Sequence, residues 1–358
     1  MNKNNFAILM AGGVGSRFWP VSTRKNPKQF RDLLGSGETL IQTTFNRLSK
    51  IVPTENIFIL TNEIYRDLVY EQLPMLKAEQ VVLEPAMRNT APAVLLAGLK
   101  IYKKNKDAVM LMAPSDHWIQ NEEAFLSDVQ TAFEACREQD KIVTLGIRPT
   151  FPNTGFGYIK FSKGPQKVLP VLNFTEKPGF EKAQEFISEG NYVWNAGIFI
   201  WNVRYILNSF QSNLPRMYER LSAGLPELNT ESEQDFVRKH YPLVEDISID
   251  YGILEKEDNI FVILASFDWN DLGTWGAIYQ ETSKDVNRNA VLNTRLVAEQ
   301  ASGNIISTKS NKVVVVEGIN DYIIIDEDEV LLLVPKHREQ EIKSIRTKVQ
   351  QEFGQDLG

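Results

Sequence analysis

Continuous apolar runs and helical patterns of apolar positions alternate along most of this chain. The short apolar runs are typical of buried strands, and they cover residues 6–10, 56–60, 108–113, 141–146 and 260–265. The segments between them have apolar residues at helical spacing, at residues 40–52, 64–73, 91–105 and 122–138. Strands that alternate with helices in this way predict βαβ units. We therefore expect an α/β fold built on a Rossmann-like mixed sheet that is mainly parallel.

The pattern changes in the middle of the chain. Shorter strands rich in aromatic residues are predicted there, at residues 155–161, 168–176 and 195–201. We expect these strands to form a substrate-binding lobe inserted beside the sheet. A polar region with helical patterns follows, from about residue 203 to residue 256.

A polar connector at residues 282–289 predicts a domain boundary. After it come short strands separated by turns, at residues 303–307, 312–318, 322–326 and 329–334, and then a charged helix at residues 338–353. The expected division is a catalytic domain over residues 1–285 and a small C-terminal β domain, ending in a helix, over residues 286–358. The C-terminal strands carry no obvious reactive group, so we expect no catalysis there.

Composition and charge narrow the class of protein. The chain has 358 residues, of which 43% are hydrophobic and 24% charged, the balance of an ordinary soluble globular protein. Its net charge of −7 argues against a general nucleic-acid binder, which is usually basic. We expect no secretory leader, because the polar first residues lead directly into a short strand-like segment, and no membrane span, because no apolar run approaches the roughly 20 residues that cross a bilayer. We expect a cytoplasmic enzyme without nucleic-acid or membrane partners.

The single cysteine, Cys136, excludes an intrachain disulfide framework and fits a reducing compartment. It lies in a helix-like run, where we interpret it as a buried small apolar residue rather than a nucleophile.

Three glycines in four positions follow the first apolar run: Gly12, Gly13 and Gly15. Without a Cβ, such a turn lets the backbone approach a ligand, and its successive N–H groups form a concave site for an anion. The cations Arg17 and Lys28 follow in sequence, and Arg can bind phosphate oxygens through two hydrogen bonds. Phe18 stands where a dinucleotide-binding motif has its third glycine, and no P-loop motif is present. The turn predicts a polyphosphate site, with solvated surface cations as the alternative.

Two aspartates near predicted strand ends are candidate metal ligands. Asp116 follows the strand at residues 108–113, and ligands of such sheets bind at the carboxyl ends of the strands. The turn at residues 11–15 occupies the equivalent position, so the two segments could face one another across one site. Asp271 is a candidate second ligand, since Mg²⁺ is usually held by one or two carboxylates and by substrate phosphates. A helix N-cap for Asp116 and a turn-forming role for Asp271 are the alternatives.

A Glu-Lys pair and a helix start complete the candidate segments. Glu176 can accept hydrogen bonds from sugar hydroxyls and Lys177 can neutralise a phosphate, while a solvated ion pair is the alternative. Asn89 or Thr90 is the expected N-cap of the helix near residue 91. A helix start does not account for Glu84, Pro85 or Arg88.

Taken together, these segments resemble the mannose-1-phosphate guanylyltransferase family, also called GDP-mannose pyrophosphorylases. The motifs stand in the family's order between about residues 6 and 279: GGxGxR at 12–17, PKQF at 27–30, EPAxRNTAP at 84–92, PSDH at 114–117, TEKP at 175–178, WNAGIF at 194–199, DYGILEK at 250–256 and DxGTW at 271–275. Any one of these motifs is weak, but the ordered set is specific.

The resemblance implies a sugar-nucleotidyltransferase fold with a small left-handed β-helix-like C-terminal domain, in the short form without an isomerase domain. It implies a reaction of GTP with α-D-mannose 1-phosphate that yields GDP-mannose and pyrophosphate, with Mg²⁺ as cofactor. Since the sugar phosphate is already an oxyanion, no general base is required, and catalysis reduces to alignment and charge neutralisation.

The resemblance also implies roles for matching positions of this chain. Asp116 and Asp271 would hold the metal, while Arg17 and Lys28 would be the catalytic cations that stabilise the leaving pyrophosphate. The nucleotide would be bound by Gly12, Gly13, Gly15, Glu84, Pro85, Asn89 and Ser115. The sugar phosphate would be bound by Gly157, Glu176, Lys177 and Asn195.

Alternatives remain open from the sequence. A guanylyltransferase for another sugar 1-phosphate, such as a heptose, would share nearly every motif. A non-catalytic nucleotide-sugar-binding regulatory subunit is expected to have lost Arg17, Lys28, Asp116 or Asp271, and all four are present. A Rossmann dehydrogenase is disfavoured by the missing third glycine. A homodimer is compatible with the predicted β domain.

Overall fold

The computed structural model describes residues 1–13 and 15–357, which divide into two compact units. Unit 1 comprises Met1–Gly12, Thr44–Ser115 and Ile119–Trp269. Unit 2 comprises Gly13–Thr43, Asp116–Trp118 and Asn270–Gly358. Unit 2 therefore contains the segment after the glycine turn as well as the C-terminal strands. The division into domains at residues 1–285 and 286–358 is kept as a proposal.

The strands and helices of the described residues are numbered in chain order. The strands are β1 (Asn5–Met10), β2 (Ile57–Asn62), β3 (Val81–Glu84), β4 (Val109–Pro114), β5 (Trp118–Ile119), β6 (Ile142–Ile147), β7 (Tyr158–Phe161), β8 (Val168–Thr175), β9 (Tyr192–Asn202), β10 (Ile260–Leu264), β11 (Trp269–Asn270), β12 (Ala290–Leu292), β13 (Arg295–Glu299), β14 (Ile305–Thr308), β15 (Val313–Glu317), β16 (Tyr322–Asp326) and β17 (Leu331–Pro335). The α-helices are α1 (Leu40–Leu48), α2 (Arg66–Gln72), α3 (Thr90–Lys104), α4 (Glu122–Glu138), α5 (Phe180–Glu189), α6 (Val203–Asn213), α7 (Pro215–Ser222), α8 (Glu233–His240), α9 (Ile249–Gly252), α10 (Trp275–Glu281) and α11 (Ile342–Phe353).

Unit 1 is built on one mixed sheet with the strand order β3-β2-β1-β4-β9-β6-β10-β8-β7. Strands β3, β2, β1 and β4 are parallel to one another, as the βαβ pattern predicts. Strand β1 pairs with β4 so that Met10 lies opposite Pro114. The two strands therefore end at the same edge of the sheet, where Ala11 and Ser115 follow them.

The strands from the middle of the chain lie within this sheet, so the expectation of a separate lobe beside it is wrong. Strand β9 runs antiparallel to both β4 and β6 near the centre of the sheet, while β8 and β7 extend one edge. The reason is the composition of β9, whose residues are mostly apolar and buried, so that both faces of the strand can be covered.

The core of unit 1 consists of apolar side chains from the sheet and from the helices packed on it. Helix α3 is buried from Ala91 to Ile101, as a helix with apolar residues all round should be. On α4, Cys136 is only 1% exposed, and burial raises the pKa of its thiol to about 12. The interpretation of Cys136 as a buried apolar residue is confirmed.

Unit 2 contains two ladders whose strands alternate along the chain. Strands β12, β14 and β16 pair in parallel, with β17 antiparallel at one edge, whereas β13 and β15 pair with each other in a second ladder. The sequence pattern does not predict β12 or β13, because β12 has only three residues and β13 lacks a continuous apolar run.

The core of unit 2 joins the N-terminal segment to the C-terminal strands. Phe18, Trp19 and Leu40 pack in one cluster with Trp275 and with apolar residues of β14, β16 and β17. This packing fixes the position of the segment that follows the glycine turn. In the part of the chain that the structure describes, no helix is long and apolar enough to cross a membrane.

Candidate active site

The glycine turn begins directly after β1. Hydrogen bonds hold its first residue in unit 1: the Ala11 N–H donates to the carbonyl oxygen of Leu60 (2.8 Å), and the Thr61 hydroxyl donates to the carbonyl of Ala11 (2.7 Å). Gly12 and Gly13 are exposed, and a Cβ on either would have no heavy atom within 4 Å. Their backbone is therefore open to a ligand.

Gly15 is required for a different reason, namely its contact with the Lys28 backbone. It has a left-handed φ of +62° and is the N-cap of a short 3₁₀-helix, Ser16–Phe18. A Cβ at this position would lie 2.6 Å from Cβ of Lys28 and 3.0 Å from Oγ of Ser22. Only glycine allows the turn to pack this closely against residue 28.

The 3₁₀-helix contains a buried aromatic residue, Phe18, and an exposed charged residue, Arg17. Phe18 is buried, and its ring meets that of Trp275 edge-on with centroids 5.5 Å apart. Arg17 is exposed, and within residues 1–13 and 15–357 its side chain makes no hydrogen bond or ion pair. Its guanidinium is available to an anionic ligand.

Within unit 2, Lys28 contacts both predicted metal-binding aspartates, Asp116 through the aspartate side chain and Asp271 through the aspartate main chain. Its side chain is buried, and Nζ lies 3.0 Å from Oδ2 of Asp116. The same ammonium donates a hydrogen bond of 2.7 Å to the carbonyl oxygen of Asp271. It also lies 5.5 Å from the ring centroid of Phe18, a favourable cation–π distance. Lys28, Asp116 and Asp271 thus form one cluster.

The carboxyl of Asp116 is partly buried, with 28% of its side chain exposed. Burial opposes its ionisation, but the positive charges of Lys28 and His117, together with hydrogen bonds, outweigh that effect. The pKa of Asp116 therefore lies below its usual value. An ionised carboxylate at this position can bind a cation.

Asp271 is both a turn former and a candidate ligand. Its Oδ1 accepts a hydrogen bond of 3.0 Å from the N–H of Gly273, and Leu272 between them has a φ of +45°. A Cβ on Gly273 would lie 2.7 Å from Oδ2 of Asp271. Gly273 therefore leaves room for the Asp271 carboxylate.

In unit 1, the residues predicted to bind the sugar lie together. A Cβ on Gly157 would be 2.5 Å from Oε2 of Glu176 and 3.4 Å from Cβ of Asn195. The Asn195 N–H donates to the carbonyl of Gly157 (2.8 Å), and its Oδ1 accepts from the N–H of Gly197 (3.0 Å). These contacts join β7, β9 and the end of β8.

Lys177 belongs to the same cluster because the chain kinks after β8. Its φ is +46°, and its Nζ lies 2.8 Å from Oε1 of Glu176. The hydrogen bond to Glu176, together with the negative charges of Glu176 and Asp250, raises the pKa of Lys177. More than half of the Lys177 side chain is exposed, at 61%, so this residue is open to solvent although it is paired with Glu176.

The loop between β3 and α3 is fixed by contacts to residues 241–249. The Glu84 carboxylate accepts a hydrogen bond from the hydroxyl of Tyr241, and burial raises the pKa of Glu84 to about 7. Arg88 donates to the carbonyl of Pro242 (2.6 Å). These contacts account for Glu84 and Arg88, which a helix start does not explain.

Asn89 occupies the N-cap position before α3, but its side chain does not cap the helix. Its φ is +55°, and its side chain makes no capping hydrogen bond. Instead, Nδ2 donates to Oδ1 of Asp246 (2.6 Å). Pro85, which follows Glu84 in the same loop, is half-buried.

Ser115, also predicted to bind the nucleotide, is fully buried at the edge of the sheet. Its hydroxyl and its N–H both donate to the carbonyl oxygen of Met10, at 2.9 and 3.1 Å. The Ser115 hydroxyl therefore forms a hydrogen bond that links the residue after β4 to the end of β1.

A protein-family model described as "Nucleotidyl transferase" matches residues 6–288, most of the chain. The chain belongs to the nucleotidyl transferase family. This nucleotidyl transferase is 35% identical over 357 residues to the mannose-1-phosphate guanylyltransferase of Salmonella montevideo, an alignment that covers 96% of this chain and 74% of that protein. It is 32% identical over 345 residues to the mannose-1-phosphate guanylyltransferase of Escherichia coli, covering 94% and 72%. The resemblance identified from the motifs is confirmed.

A solved structure has the same fold. The crystal structure described as mannose-1-phosphate geranyltransferase from Thermus thermophilus superposes on this nucleotidyl transferase with a TM-score of 0.86 at 32% identity. The match covers 97% of this chain and 99% of that chain. The expected α/β nucleotidyltransferase fold is confirmed.

Two residues at these clusters were not among those predicted to bind substrate. One is Asp250, near Glu176 and Lys177, where burial together with the negative charge of Glu176 raises its pKa to about 6. Its signal in the sequence is the motif at residues 250–256. Tyr241, the partner of Glu84, has no such signal, because the two are 157 positions apart.

The two candidate metal-binding aspartates of this nucleotidyl transferase suit a hard cation that takes only some of its ligands from the protein. Asp116 and Asp271 supply carboxylate oxygens, which Mg²⁺ prefers. Among the described residues, no group of three or more His, Cys, Asp or Glu is arranged to hold a metal. The donor set therefore fits Mg²⁺ that is completed by substrate phosphates rather than an ion held by the protein alone.

Proposed function

We propose that this protein transfers GMP from GTP to α-D-mannose 1-phosphate, giving GDP-mannose and pyrophosphate. The observation that carries the proposal is the cluster of Lys28, Asp116 and Asp271, which joins a buried cation to two candidate metal ligands in a member of the nucleotidyl transferase family. The names of the curated relatives point to the same reaction.

In the proposed reaction, a phosphate oxygen of the sugar phosphate attacks the α-phosphorus of GTP in line. The bond from the α-phosphorus to the bridging oxygen of the β-phosphate breaks, and pyrophosphate leaves with the electron pair. No proton has to be removed from the nucleophile. The protein's task is to align two anions and to neutralise their charge.

Residues after β1 are proposed to bind the leaving pyrophosphate. The exposed backbone of Gly12 and Gly13 supplies N–H groups, and the conformation of Gly15 brings the turn against Lys28. Arg17 is exposed and makes no ion pair among the described residues, so its guanidinium can bind phosphate oxygens directly.

Asp116 and Asp271 are the residues proposed to hold Mg²⁺. When bound, the ion would neutralise charge on the α-phosphate. The low pKa of Asp116 supports this assignment, since a metal ligand must be deprotonated.

The sugar phosphate is proposed to bind at the cluster in unit 1. Glu176 would accept hydrogen bonds from sugar hydroxyls, and the side-chain amide of Asn195 would donate to them. The absence of a side chain at Gly157 leaves space beside both residues. Lys177, which is paired with Glu176 and largely exposed, would meet the phosphate.

The nucleotide base is proposed to bind near the loop after β3, with Glu84, Pro85 and Asn89. The elevated pKa of Glu84 would let its carboxyl donate as well as accept hydrogen bonds near neutral pH. Ser115, whose hydroxyl is bonded to Met10, would act through its backbone position rather than through a free hydroxyl.

We also propose that the alternating parallel ladders of unit 2 form a short left-handed β-helix.

The protein would form a homodimer through the exposed face of β13 and β15, where Val297 lies opposite Val315, at 48% and 68% exposure. Along β13, Arg295 and Glu299 flank Val297 on the same exposed face. A two-fold axis through Val297 would place each Arg295 against the Glu299 of the second copy. We propose a cytoplasmic location, where GTP is available.

The proposed reaction can be tested by mass spectrometry of the product formed from GTP and mannose 1-phosphate. The expected product is GDP-mannose. Comparing kcat/KM among sugar 1-phosphates, including a heptose 1-phosphate, identifies the acceptor. A higher value for the heptose would assign a different guanylyltransferase, whereas nucleotide-sugar binding without turnover would indicate a regulatory subunit.

A further inference from the structure

In the structure, the ammonium of Lys28 stands between the two residues proposed to bind the metal. Its Nζ is 3.0 Å from the carboxylate of Asp116 and 2.7 Å from the carbonyl oxygen of Asp271. The Lys28 side chain is 7% exposed, so this charge is held inside the protein rather than in solvent. A cation therefore already contacts the carboxylate of Asp116 and the main chain of Asp271 before any ligand is bound.

The backbone of Lys28 is held in place by the glycine turn. Gly15 lies against Cβ and Cα of Lys28, at distances that leave no room for a side chain on residue 15. The Phe18 ring lies 5.5 Å from Nζ and packs in turn on Trp275. By contrast, Arg17 is exposed and has no ion pair among the described residues. Of the two proposed phosphate-binding cations, only Lys28 contacts these aspartates.

We infer that Lys28 is an internal counter-ion that excludes divalent metal from Asp116 and Asp271 until a polyphosphate draws its ammonium away. This inference rests on the proposed function, because it needs these aspartates to be the metal ligands. With Lys28 in place, a divalent ion would meet a positive charge a few ångströms away, in a partly buried site where screening is weak. A bound triphosphate brings negative charge and offers Lys28 new partners. Metal and nucleotide then bind together, and the nucleotide-free protein binds metal poorly.

The inference can be tested by titrating nucleotide-free protein with Mn²⁺ and following the free ion by electron paramagnetic resonance. Lys28→Met removes the charge and keeps a long side chain, so Mn²⁺ should bind at least about tenfold more tightly than to the wild type. Lys28→Arg keeps the charge and should remain as weak as the wild type. The double variant Lys28→Met with Asp116→Asn should lose the gain, because a carboxylate ligand is missing.

Lys25→Met is the matched control. Lys25 lies three positions away, has 78% of its side chain exposed and pairs with Asp356 rather than with either candidate ligand. Its removal should leave Mn²⁺ affinity within about twofold of the wild type, because exposed charges are screened. Circular dichroism and thermal melts establish that each variant is folded, and Lys28→Gln replaces Lys28→Met if the latter does not fold.

Equal Mn²⁺ affinity for the wild type and the folded Lys28→Met or Lys28→Gln variant would overturn the inference. So would an equal gain in Lys25→Met, since that would show only a general effect of net charge. The titration contains no substrate. A gain that depends on Asp116, found in a protein that does not release pyrophosphate from GTP, would therefore refute the proposed reaction and leave the counter-ion role of Lys28 standing.

Discussion

At the scale of single residues, the surroundings of Asp116 and Asp268 distinguish a proposed metal ligand from an exposed carboxylate. Asp116 lies against the buried ammonium of Lys28, and its pKa is lowered. Asp268 is exposed, although it lies only three positions before Asp271. The residue types alone do not distinguish these carboxylates, whereas their partners do.

Asp116→Ala should therefore reduce kcat by about 10²–10³, the usual effect of removing a positioned electrostatic group. Asp268→Ala should stay within about twofold of the wild type, because exposed surface substitutions have small effects. Steady-state pyrophosphate release by the folded variants checks both. Wild-type turnover in Asp116→Ala would contradict the role of this residue.

Gly15 offers a second test at this scale, because its requirement is steric. In Gly15→Ala the new Cβ would overlap Cβ of Lys28, and the left-handed backbone would add about 1–2 kcal/mol of strain. We expect a lower unfolding midpoint and reduced turnover. Gly12→Ala, where a Cβ meets nothing within 4 Å, should change the free energy of unfolding by less than about 0.5 kcal/mol. Matching thermal melts for the two variants would refute this explanation.

At the scale of elements, the loop between β3 and α3 is tied to residues 241–249 by a carboxyl with an unusual pKa. Burial raises the pKa of Glu84 to about 7, so between about pH 4.5 and 7 the folded protein keeps a proton that the unfolded chain has lost. Stability should therefore fall as the pH rises through this range. The contribution of Glu84 is at most about 3 kcal/mol.

Glu84→Gln removes this titration while keeping an acceptor for the Tyr241 hydroxyl. The free energy of unfolding of the variant, minus that of the wild type, should be larger at pH 8 than at pH 5. Denaturant unfolding at both pH values measures this difference. Glu55→Gln, at an exposed position, serves as the control and should follow the wild type. Parallel pH dependence in the wild type and Glu84→Gln would show that Glu84 does not titrate in this range.

Sequence patterns predict local structure well in this chain and long-range pairing poorly. The predicted helix at residues 122–138 coincides with α4, and the predicted strands of unit 1 lie close to the observed ones, because hydrophobic periodicity is a local property. The position of β9 inside the sheet was missed, since strand order depends on distant partners. The ion pair of Lys28 with Asp116 was missed for the same reason, although both residues were recognised as candidates.

At the scale of the whole molecule, the proposed homodimer can be tested through its symmetry. Arg295→Glu or Glu299→Arg alone would place like charges together across the two-fold axis and should weaken association. The double variant Arg295→Glu with Glu299→Arg restores opposite charges and should recover the dimer. Sedimentation velocity at micromolar concentration reports the mass. A monomeric wild type, or single variants that associate as the wild type does, would contradict this interface.

The central claim is tested most directly by pyrophosphate release from each of the four ribonucleoside triphosphates with mannose 1-phosphate, with and without Mg²⁺. The family assignment rests on the matched residues, and the proposed chemistry rests on Lys28, Asp116 and Asp271. We predict release with GTP in the presence of Mg²⁺, little with the other triphosphates, and loss of activity when the metal is chelated. No release with GTP and Mg²⁺ would contradict the account.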